Sequence, residues 1–504
     1  MATMRNHGVT LKSSPLVRTA TLRSRASRRR VGGAFQRDVT SMASESSQTS
    51  ASSSSATAPR VVVLGGGFGG LYTALRLDSL EWPEGKRPTV TVVDKSENFV
   101  FKPMLYELVN ETMEPWEVAP SFKDLLTSTR VEFALGTAQG FTPDALGAMV
   151  DGTPVSSEGG VCALSDGRTL EYDYLVLALG TSTSDGGVRG AKECAIALNT
   201  AKDAMKITDA LKAAEMRGDR ARVAVIGGGL SGVELATVVA ERLNTKREGS
   251  SGGDVDVITP RGEVMATAPL GQREAATRVL EKARVNVVSG RVMELTKSTS
   301  AEDGRASATA SVKIAYENGR VDEREYDVVC WTVGQRAETP ADWPVATTSA
   351  KKIKTDATLR VNGHSRIYAV GDASSSSAEI MEADWNELPS TAQVAFQQAD
   401  YAAWNIWASI NDRTPLPFRY QHLGDMMVLG SLDAAVAFPV GDITLEGPAA
   451  AALRRLAYLY RMPTNEHRVK LATKWISDGV EKAQSDPVGF FDDLRKALPN
   501  PFGI

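Results

Sequence analysis

The chain has 504 residues, 42% hydrophobic and 23% charged, with a formal net charge of −4. This length exceeds one ordinary domain, and the balance is that of a folded globular protein rather than a disordered or fibrous one. Cys162, Cys194 and Cys330 are the only cysteines and form no CxxC, which excludes a disulfide scaffold; their spacing from the four histidines argues against structural zinc.

Residues 1–37 contain no Asp or Glu and include Arg28, Arg29 and Arg30 in a row; residues 41–58 are mostly Ser, Ala and Thr. Such a stretch buries too little apolar surface to offset its ordering entropy. Residues 1–59 therefore read as an organelle transit peptide. The Ser-rich second half favours a chloroplast over a mitochondrion, and a plain disordered tail is the alternative. Once this basic leader is set aside, the body is net acidic, which argues against nucleic-acid binding. No apolar run reaches the roughly 18 residues that a membrane-spanning helix needs.

Two copies of one pattern organise the body. RVVVLGGGFGGLYTALRL (60–77) and RVAVIGGGLSGVELATVVA (222–240) each read as a short apolar strand, then GxGxxG, then a helical period. The glycines are Gly65, Gly67 and Gly70, and Gly227, Gly229 and Gly232. In such a unit the first glycine makes a tight turn, the second admits a pyrophosphate, and the third packs helix on strand. The helix N-terminus then presents unsatisfied N–H groups to the phosphates. The fold class expected is α/β, with two Rossmann-like dinucleotide-binding domains.

The strand PTVTVVD ends in Asp94, where a carboxylate can accept ribose hydroxyls. The matching strand of the second unit, DVDVITPRG, has Thr259, Pro260 and Arg261 instead. Losing the acid and gaining Arg261 removes repulsion of a 2′-phosphate, so NADPH is expected to be accepted; a solvent-facing Arg261 is the alternative. Two nucleotide units imply two dinucleotides, one resident and one exchanging, usually FAD and NADPH or NADH. GRTLEYDYLVLALGT (167–181) reads as a hairpin leading into a buried strand that ends at Gly180, and EREYDVVCWTVGQ (323–335) repeats it up to Gly334. RIYAVGDAS (366–374) ends a third buried strand at Gly371-Asp372, where the carboxylate could accept a flavin ribityl hydroxyl. The stretch 289–320 reads as a hairpin with a polar loop. Pro389 is expected to begin a helix with Ser390 as candidate cap. Gln393 and Gln397, four apart, share one face of it.

NFVFKPMLYELV (98–109), GGGLSGVELA (227–236), WTVG (331–334), YAVGD (368–372) and STAQVAFQQA (390–399) together resemble the two-domain flavoproteins, and more closely the type II NAD(P)H:quinone dehydrogenases. The resemblance covers about residues 60–435. FVFKPMLYEL, HLGDMMVLGS (422–431) and RMPTNEHRVK (461–470) look like the plastid branch, which reduces demethylphylloquinone and related prenylquinones. The resemblance implies a discontinuous FAD-binding domain, 60–190 and 320–435, with an NAD(P)H-binding domain, 191–319, inserted in it. It implies that Lys102 and Pro103 cover the flavin ring, although many relatives carry a neutral polar residue at the position of Lys102. It places Glu234 at the flavin–nicotinamide contact. It also places the N-terminus of the helix bearing Ala392 at the flavin O2 edge, and Gln393 and Gln397 at the quinone headgroup. The simpler alternatives are a surface lysine, a first-turn glutamate favoured by the helix dipole, and a polar helix face.

Residues 436–504 are expected to form a C-terminal amphipathic helical segment broken around Met462-Pro463. Leu453, Leu456, Ala457 and Tyr460, flanked by Arg454, Arg455 and Arg461, and then Ala472, Trp475, Ile476 and Val480 near Lys470 and Lys474, follow helical spacing. A basic amphipathic stretch suits an interfacial helix, peripheral to a thylakoid or plastid lipid-droplet surface and admitting a prenylquinone; packing on the body or on a second copy in a homodimer is the alternative. The activity expected is two-electron, non-pumping NAD(P)H:quinone oxidoreduction. Three rivals stand beside it: a sulfide:quinone oxidoreductase using Cys162 or Cys194, a reductase of a small protein electron carrier, and an NAD(P)H-sensing flavoprotein without turnover.

Overall fold

The computed structural model describes residues 58–485 except 144–148, 151–152, 155–158, 218, 246–251, 301–306, 377–387 and 442. The expected leader and the end of the C-terminal segment lie outside the described residues.

Arg60–Leu64 is buried from Val61 onward and is the middle strand of a five-stranded parallel sheet. The order is Ile367–Ala369, Tyr174–Leu177, Arg60–Leu64, Thr89–Asp94, Val131–Leu135. A middle strand covered on both faces must be apolar throughout rather than alternating, which RVVVL and YLVL satisfy. A second parallel sheet repeats the plan in the order Ile196–Ala197, Val328–Trp331, Ala221–Ile226, Gly253–Thr259, Asn286–Ser289. Val328–Trp331 flanks Ala221–Ile226 as Tyr174–Leu177 flanks Arg60–Leu64. The second sheet therefore runs past residue 319, the limit set by the sequence reading, because YDVVCW fills the place that YDYLVL fills in the first.

Each of these flanking strands follows a three-stranded antiparallel sheet. The first is Ala138–Pro143, Gly160–Leu164 and Thr169–Tyr172; the second is Arg291–Ser300, Ser307–Ala315 and Val321–Tyr326. The hairpin expected over 289–320 is thus two strands of a three-stranded unit, and its polar loop lies outside the described residues. The chain crosses between the two parallel sheets through Thr181–Thr183, which pairs antiparallel with Gln335–Ala337. Gly180 and Gly334 precede these crossings with φ of 70° and 72°, a left-handed bend that glycine adopts without penalty.

Helix Ala392–Ile410 packs along helix Phe68–Ser79. A small antiparallel sheet, Asp425–Val428, Ala434–Ala437 and Thr444–Glu446, leads to helices Pro448–Arg461 and Asn465–Ser485. They break at Met462-Pro463, as a proline ring requires.

The two glycine turns are built to the same tolerance. A Cβ on Gly70 would lie 1.8 Å from the Gly65 carbonyl oxygen, and one on Gly232 would lie 1.9 Å from that of Gly227. Gly65 and Gly227 themselves have φ of 103° and 117°. By contrast, a Cβ on Gly67 or Gly229 would meet nothing within 4 Å. In chemical denaturation, Gly70→Ala should lose about 1–3 kcal/mol or more, the cost of overpacking a site where backbone meets backbone. With all proteins compared free of bound ligand, Gly67→Ala should stay within about 0.5 kcal/mol of the parent; equal losses at both positions would contradict this account of the turn.

Candidate active site

Helices Phe68–Ser79 and Leu230–Asn244 both start at a glycine N-cap with extended backbone, Gly67 and Gly229, and neither has a side-chain cap. Their first N–H groups are thus left to point at whatever occupies the turn. The open space beyond Gly67 and Gly229, beside the close approach at Gly70 and Gly232, is the shape a dinucleotide pyrophosphate needs. Both turns fit such a group.

The strands that follow differ as their sequences do. Asp94 ends its strand half-buried and accepts N–H bonds from Gly66 at 2.6 Å and Ser96 at 2.8 Å. The carboxylate thereby braces the first turn. In the second unit Thr259 is buried, and its hydroxyl donates to the Glu263 carbonyl at 3.3 Å. Arg261 is exposed just beyond it.

Segment 98–109 folds over the first glycine helix. Phe99 and Phe101 are buried and pack edge-on against Phe68. Lys102 is exposed, and the Pro103 carbonyl turns inward to accept from Arg454 Nη2 at 2.8 Å. The following short helix, Leu105–Val109, buries Tyr106 and Glu107. Tyr106 interacts electrostatically with Glu234 on the second glycine helix, and burial beside that carboxylate pushes its hydroxyl up. Glu234, 6% exposed, also accepts the Val428 N–H at 2.9 Å. Three parts of the chain therefore meet at this carboxylate: the second glycine helix, segment 98–109 and strand Asp425–Val428. Burial pushes the Glu234 carboxyl up to about 7, with the Arg454 guanidinium opposing that rise.

Arg454 is the residue that sequence reasoning misplaced. It was expected on the outer basic face of an interfacial helix; instead it is 2% exposed. Its Nη1 donates to Glu107 Oε1 at 2.9 Å, and its guanidinium lies 4.8 Å from the Tyr458 ring centroid. Leu453, Leu456 and Tyr460, the stripe marked by helical spacing, are exposed, while Arg454, Tyr458 and Met462 are buried. The available clue was the buried acid Glu107 inside an apolar segment, which demands a cation nearby.

Helix Ala392–Ile410 is capped by Thr391, whose hydroxyl accepts the Val394 N–H; Ser390, the expected cap, lies outside it. Thr391 takes the role because its extended backbone brings its oxygen over the first turn. Gly371, with φ of 70°, donates its N–H to Gln398 Oε1 at 2.6 Å, and Asp372 accepts the Thr181 hydroxyl at 3.2 Å. A small cleft between this turn and the helix start is lined by Gly371, Asp372, Pro389, Ser390, Val394 and Gln398. Gln393 and Gln397 share a face as their spacing requires, and both amides grip the segment Tyr420–Gly424. Gln393 donates to the Gly424 carbonyl at 3.0 Å and accepts from Tyr420 at 2.6 Å and from the Leu423 N–H at 2.9 Å. Gln397 donates to the Gln421 carbonyl at 2.8 Å and accepts that residue's N–H at 2.9 Å.

None of the three cysteines is in a disulfide. Cys162 is paired in the first antiparallel sheet and Cys330 in the second parallel sheet; both are buried, which pushes each thiol up to about 12. Thiols held protonated in apolar cores are poor nucleophiles. Among the described residues no group of His, Cys, Asp and Glu could hold a metal ion.

Comparison with known proteins agrees with this geometry. The family model described as pyridine nucleotide-disulphide oxidoreductase matches residues 59–399. The alternative NAD(P)H-ubiquinone oxidoreductase C1, chloroplastic/mitochondrial, of Arabidopsis thaliana is 43% identical over 85% of this chain and 83% of its own length. The demethylphylloquinone reductase NdbB of a Synechocystis strain is 36% identical over 83% of this chain and 96% of its own. Among solved structures, NDH2 from Plasmodium falciparum in complex with RYL-552 superposes with a TM-score of 0.67 at 18% identity, covering 85% of this chain and 98% of that one, a likeness of fold. With its twin glycine turns and its continuous match to these relatives, the chain belongs to the pyridine nucleotide-disulphide oxidoreductase family and, within it, to the type II NAD(P)H:quinone dehydrogenases.

Proposed function

We propose that this protein is an NAD(P)H:quinone oxidoreductase, with FAD resident on the first parallel sheet and NAD(P)H exchanging on the second. The observation that carries this reading is the 43% identity to a plant NAD(P)H-ubiquinone oxidoreductase, sustained over 443 residues, in a chain whose two glycine turns are both intact. Bound flavin would supply the two-electron chemistry between the nicotinamide and a quinone. The rest is the work of the chain's own residues.

Gly65, Gly67 and Gly70 seat one pyrophosphate and Gly227, Gly229 and Gly232 the other, each against a helix N-terminus. Asp94 takes the adenosine ribose of FAD, while Gly180, Gly371 and Asp372 line the approach to its ribityl chain. Lys102 and Pro103 cover the ring, and the helix start at Ala392 and Gln393 directs N–H groups toward its O2 edge. On the nucleotide side Thr259 and Arg261 replace the usual acid, so NADPH is accepted as well as NADH, and Gly334 shapes the crossing next to it.

Glu234 sits where a carboxylate can act on the nicotinamide. That ring gains positive charge as it gives up hydride, and an ionised carboxylate in a buried setting stabilises the charge as it develops. Gln393 and Gln397 each have one amide N–H committed to backbone, leaving the second available for a quinone carbonyl. Their larger effect is to fix the Tyr420–Gly424 wall of the acceptor site.

The acceptor is a prenylquinone, reached from a plastid lipid surface, thylakoid or lipid droplet, on which the protein rests peripherally. Among the described residues no helix is long and apolar enough to cross a membrane. Leu453, Leu456, Tyr460, Val469, Ile476 and Val480 nonetheless expose apolar side chains along the C-terminal helices, beside Arg455, Lys470 and Lys474, which suits an interfacial attachment.

Three measurements check the assignments. Gly67→Ala should purify folded but largely stripped of flavin, judged by the ratio of visible to ultraviolet absorbance; full occupancy would remove the first turn as the FAD seat. In stopped-flow reduction by NADPH, the wild-type rate should rise as pH passes through about 7, because the ionised carboxylate is the active form. Glu234→Gln should be roughly tenfold slower and flat with pH, about 1.4 kcal/mol of lost stabilisation; a retained inflection would assign it to another group. Gln393→Leu leaves the Leu423 N–H and the Gly424 carbonyl without their amide partner, so KM for a short-chain naphthoquinone should rise about tenfold while flavin reduction is unchanged. An unaltered KM would place the acceptor site elsewhere.

A further inference from the structure

We propose that Tyr420, His422 and Asp425 form a proton route into the acceptor site: the Tyr420 hydroxyl gives a quinone the proton it needs to become a quinol, and His422, acting through Tyr420, replaces that proton. The proposal rests on the reading of Gln393 as a residue of the quinone site, and goes beyond it by assigning where the proton comes from.

The route is continuous in side-chain contacts. The Tyr420 hydroxyl lies 2.6 Å from Gln393 Oε1 and 3.1 Å from His422 Nδ1. Across the ring, His422 Nε2 lies 3.5 Å from Asp425 Oδ2. The direction of donation follows from the Gln393 amide. Its Nε2 donates to the Gly424 carbonyl at 3.0 Å and its Oε1 accepts the Leu423 N–H at 2.9 Å, so the oxygen is the atom that faces Tyr420. An amide oxygen only accepts. The single Tyr420 proton therefore points at Gln393, and His422 Nδ1 must be the donor to the phenol oxygen. Each proton in this chain is aimed inward, toward the amide read as the quinone contact.

Exposure runs the same way. The Asp425 and His422 side chains are 41% and 29% exposed, so the outer end of the route meets solvent. Tyr420 is half-buried, and burial, with the Asp425 charge adding to it, pushes its hydroxyl up to about 12. It is thus a neutral donor at ordinary pH. The segment is held at several points by uncharged amides: Gln393 and Gln397 from helix Ala392–Ile410, and the buried Gln272 of helix Leu270–Lys282, which donates to the Asp425 carbonyl at 3.0 Å.

A quinone becomes a quinol by gaining two electrons and two protons. A hydride derived from NAD(P)H brings both electrons and one proton. The other proton must reach the remaining oxygen as negative charge builds there, which is the task of a positioned general acid. In that step the Tyr420 O–H bond breaks as a quinol O–H bond forms. The His422 Nδ1 proton moves to the phenol oxygen, and the imidazole regains a proton from solvent on its exposed side. Tyr420 and His422 end the cycle unchanged, and the net proton is drawn from water.

The test uses the flavin-loaded full-length chain and compares turnover on a short-chain naphthoquinone with turnover on ferricyanide, which takes electrons without protons. Relative to ferricyanide, His422→Ala should lose about a hundredfold in quinone kcat, within the range of a lost general acid, with KM unchanged. Added imidazole should restore the rate, and among substituted imidazoles the restoration should follow each compound's acidity. Tyr420→Phe should lose as much and gain nothing from imidazole. A merely structural role predicts a raised KM and a restoration that follows size instead of acidity. A second readout needs no turnover: nitrogen NMR of the histidine rings in the resting protein should show a protonated His422 Nδ1 whose signal shifts in Tyr420→Phe. A bare Nδ1, a wild-type quinone kcat in His422→Ala, or a loss that imidazole leaves in place overturns the proposal. If His422→Ala does not fold, His422→Gln decides: lowered kcat at wild-type KM supports the route, and raised KM at wild-type kcat overturns it. Wild-type protein that reduces ferricyanide but no quinone would instead remove the reading of the acceptor site itself.

Discussion

The architecture depends on one close approach, made twice. At each glycine turn the helix comes so near the strand before it that the carbonyl of Gly65 or Gly227 occupies the space a side chain on Gly70 or Gly232 would need. That proximity directs the helix axis into the turn and brings its first N–H groups to bear on one small volume. The sheets, flanking strands and crossings support both turns in one chain.

A second constraint governs the middle of the molecule, where the parts meet through polar groups rather than apolar ones. Glu234, Tyr106, Glu107, Arg454 and Tyr458 come from three separated stretches of sequence and are almost sealed from water. In such a setting each unpaired charge is costly, so the partners fix one another. The segment over the first helix, the second helix and the C-terminal helix cannot shift independently without exposing one of these groups. Gln393 and Gln397 do similar work nearby, holding Tyr420–Gly424 by hydrogen bonds to its backbone.

Much of this was legible in the residues. The twin GxGxxG runs gave the two sheets because glycine spacing, buried strand and helical period all express one local geometry. The repeat of YDYLVL in YDVVCW foretold equivalent strands, but not that Val328–Trp331 would pair inside the second sheet; register is settled by long-range hydrogen bonds that a local pattern does not contain. Pro389 and Ser390 signalled a helix start nearby, while Thr391 won the cap through its own backbone angle. Arg454 was illegible because helical periodicity sorts residues by polarity, and a buried ion pair inverts that sorting. Its partner lies in another segment, so only the folded chain reveals which arginine of three is inside.

The tightness of the second turn has an evolutionary corollary. Its packing involves Gly228, Thr259 and Glu263, whereas Arg261 projects into solvent just past the strand. Selection can exchange that one arginine while leaving the compact bend beneath it undisturbed. In this protein the surface beside the second turn is free to drift separately from the rigidity that keeps the fold intact.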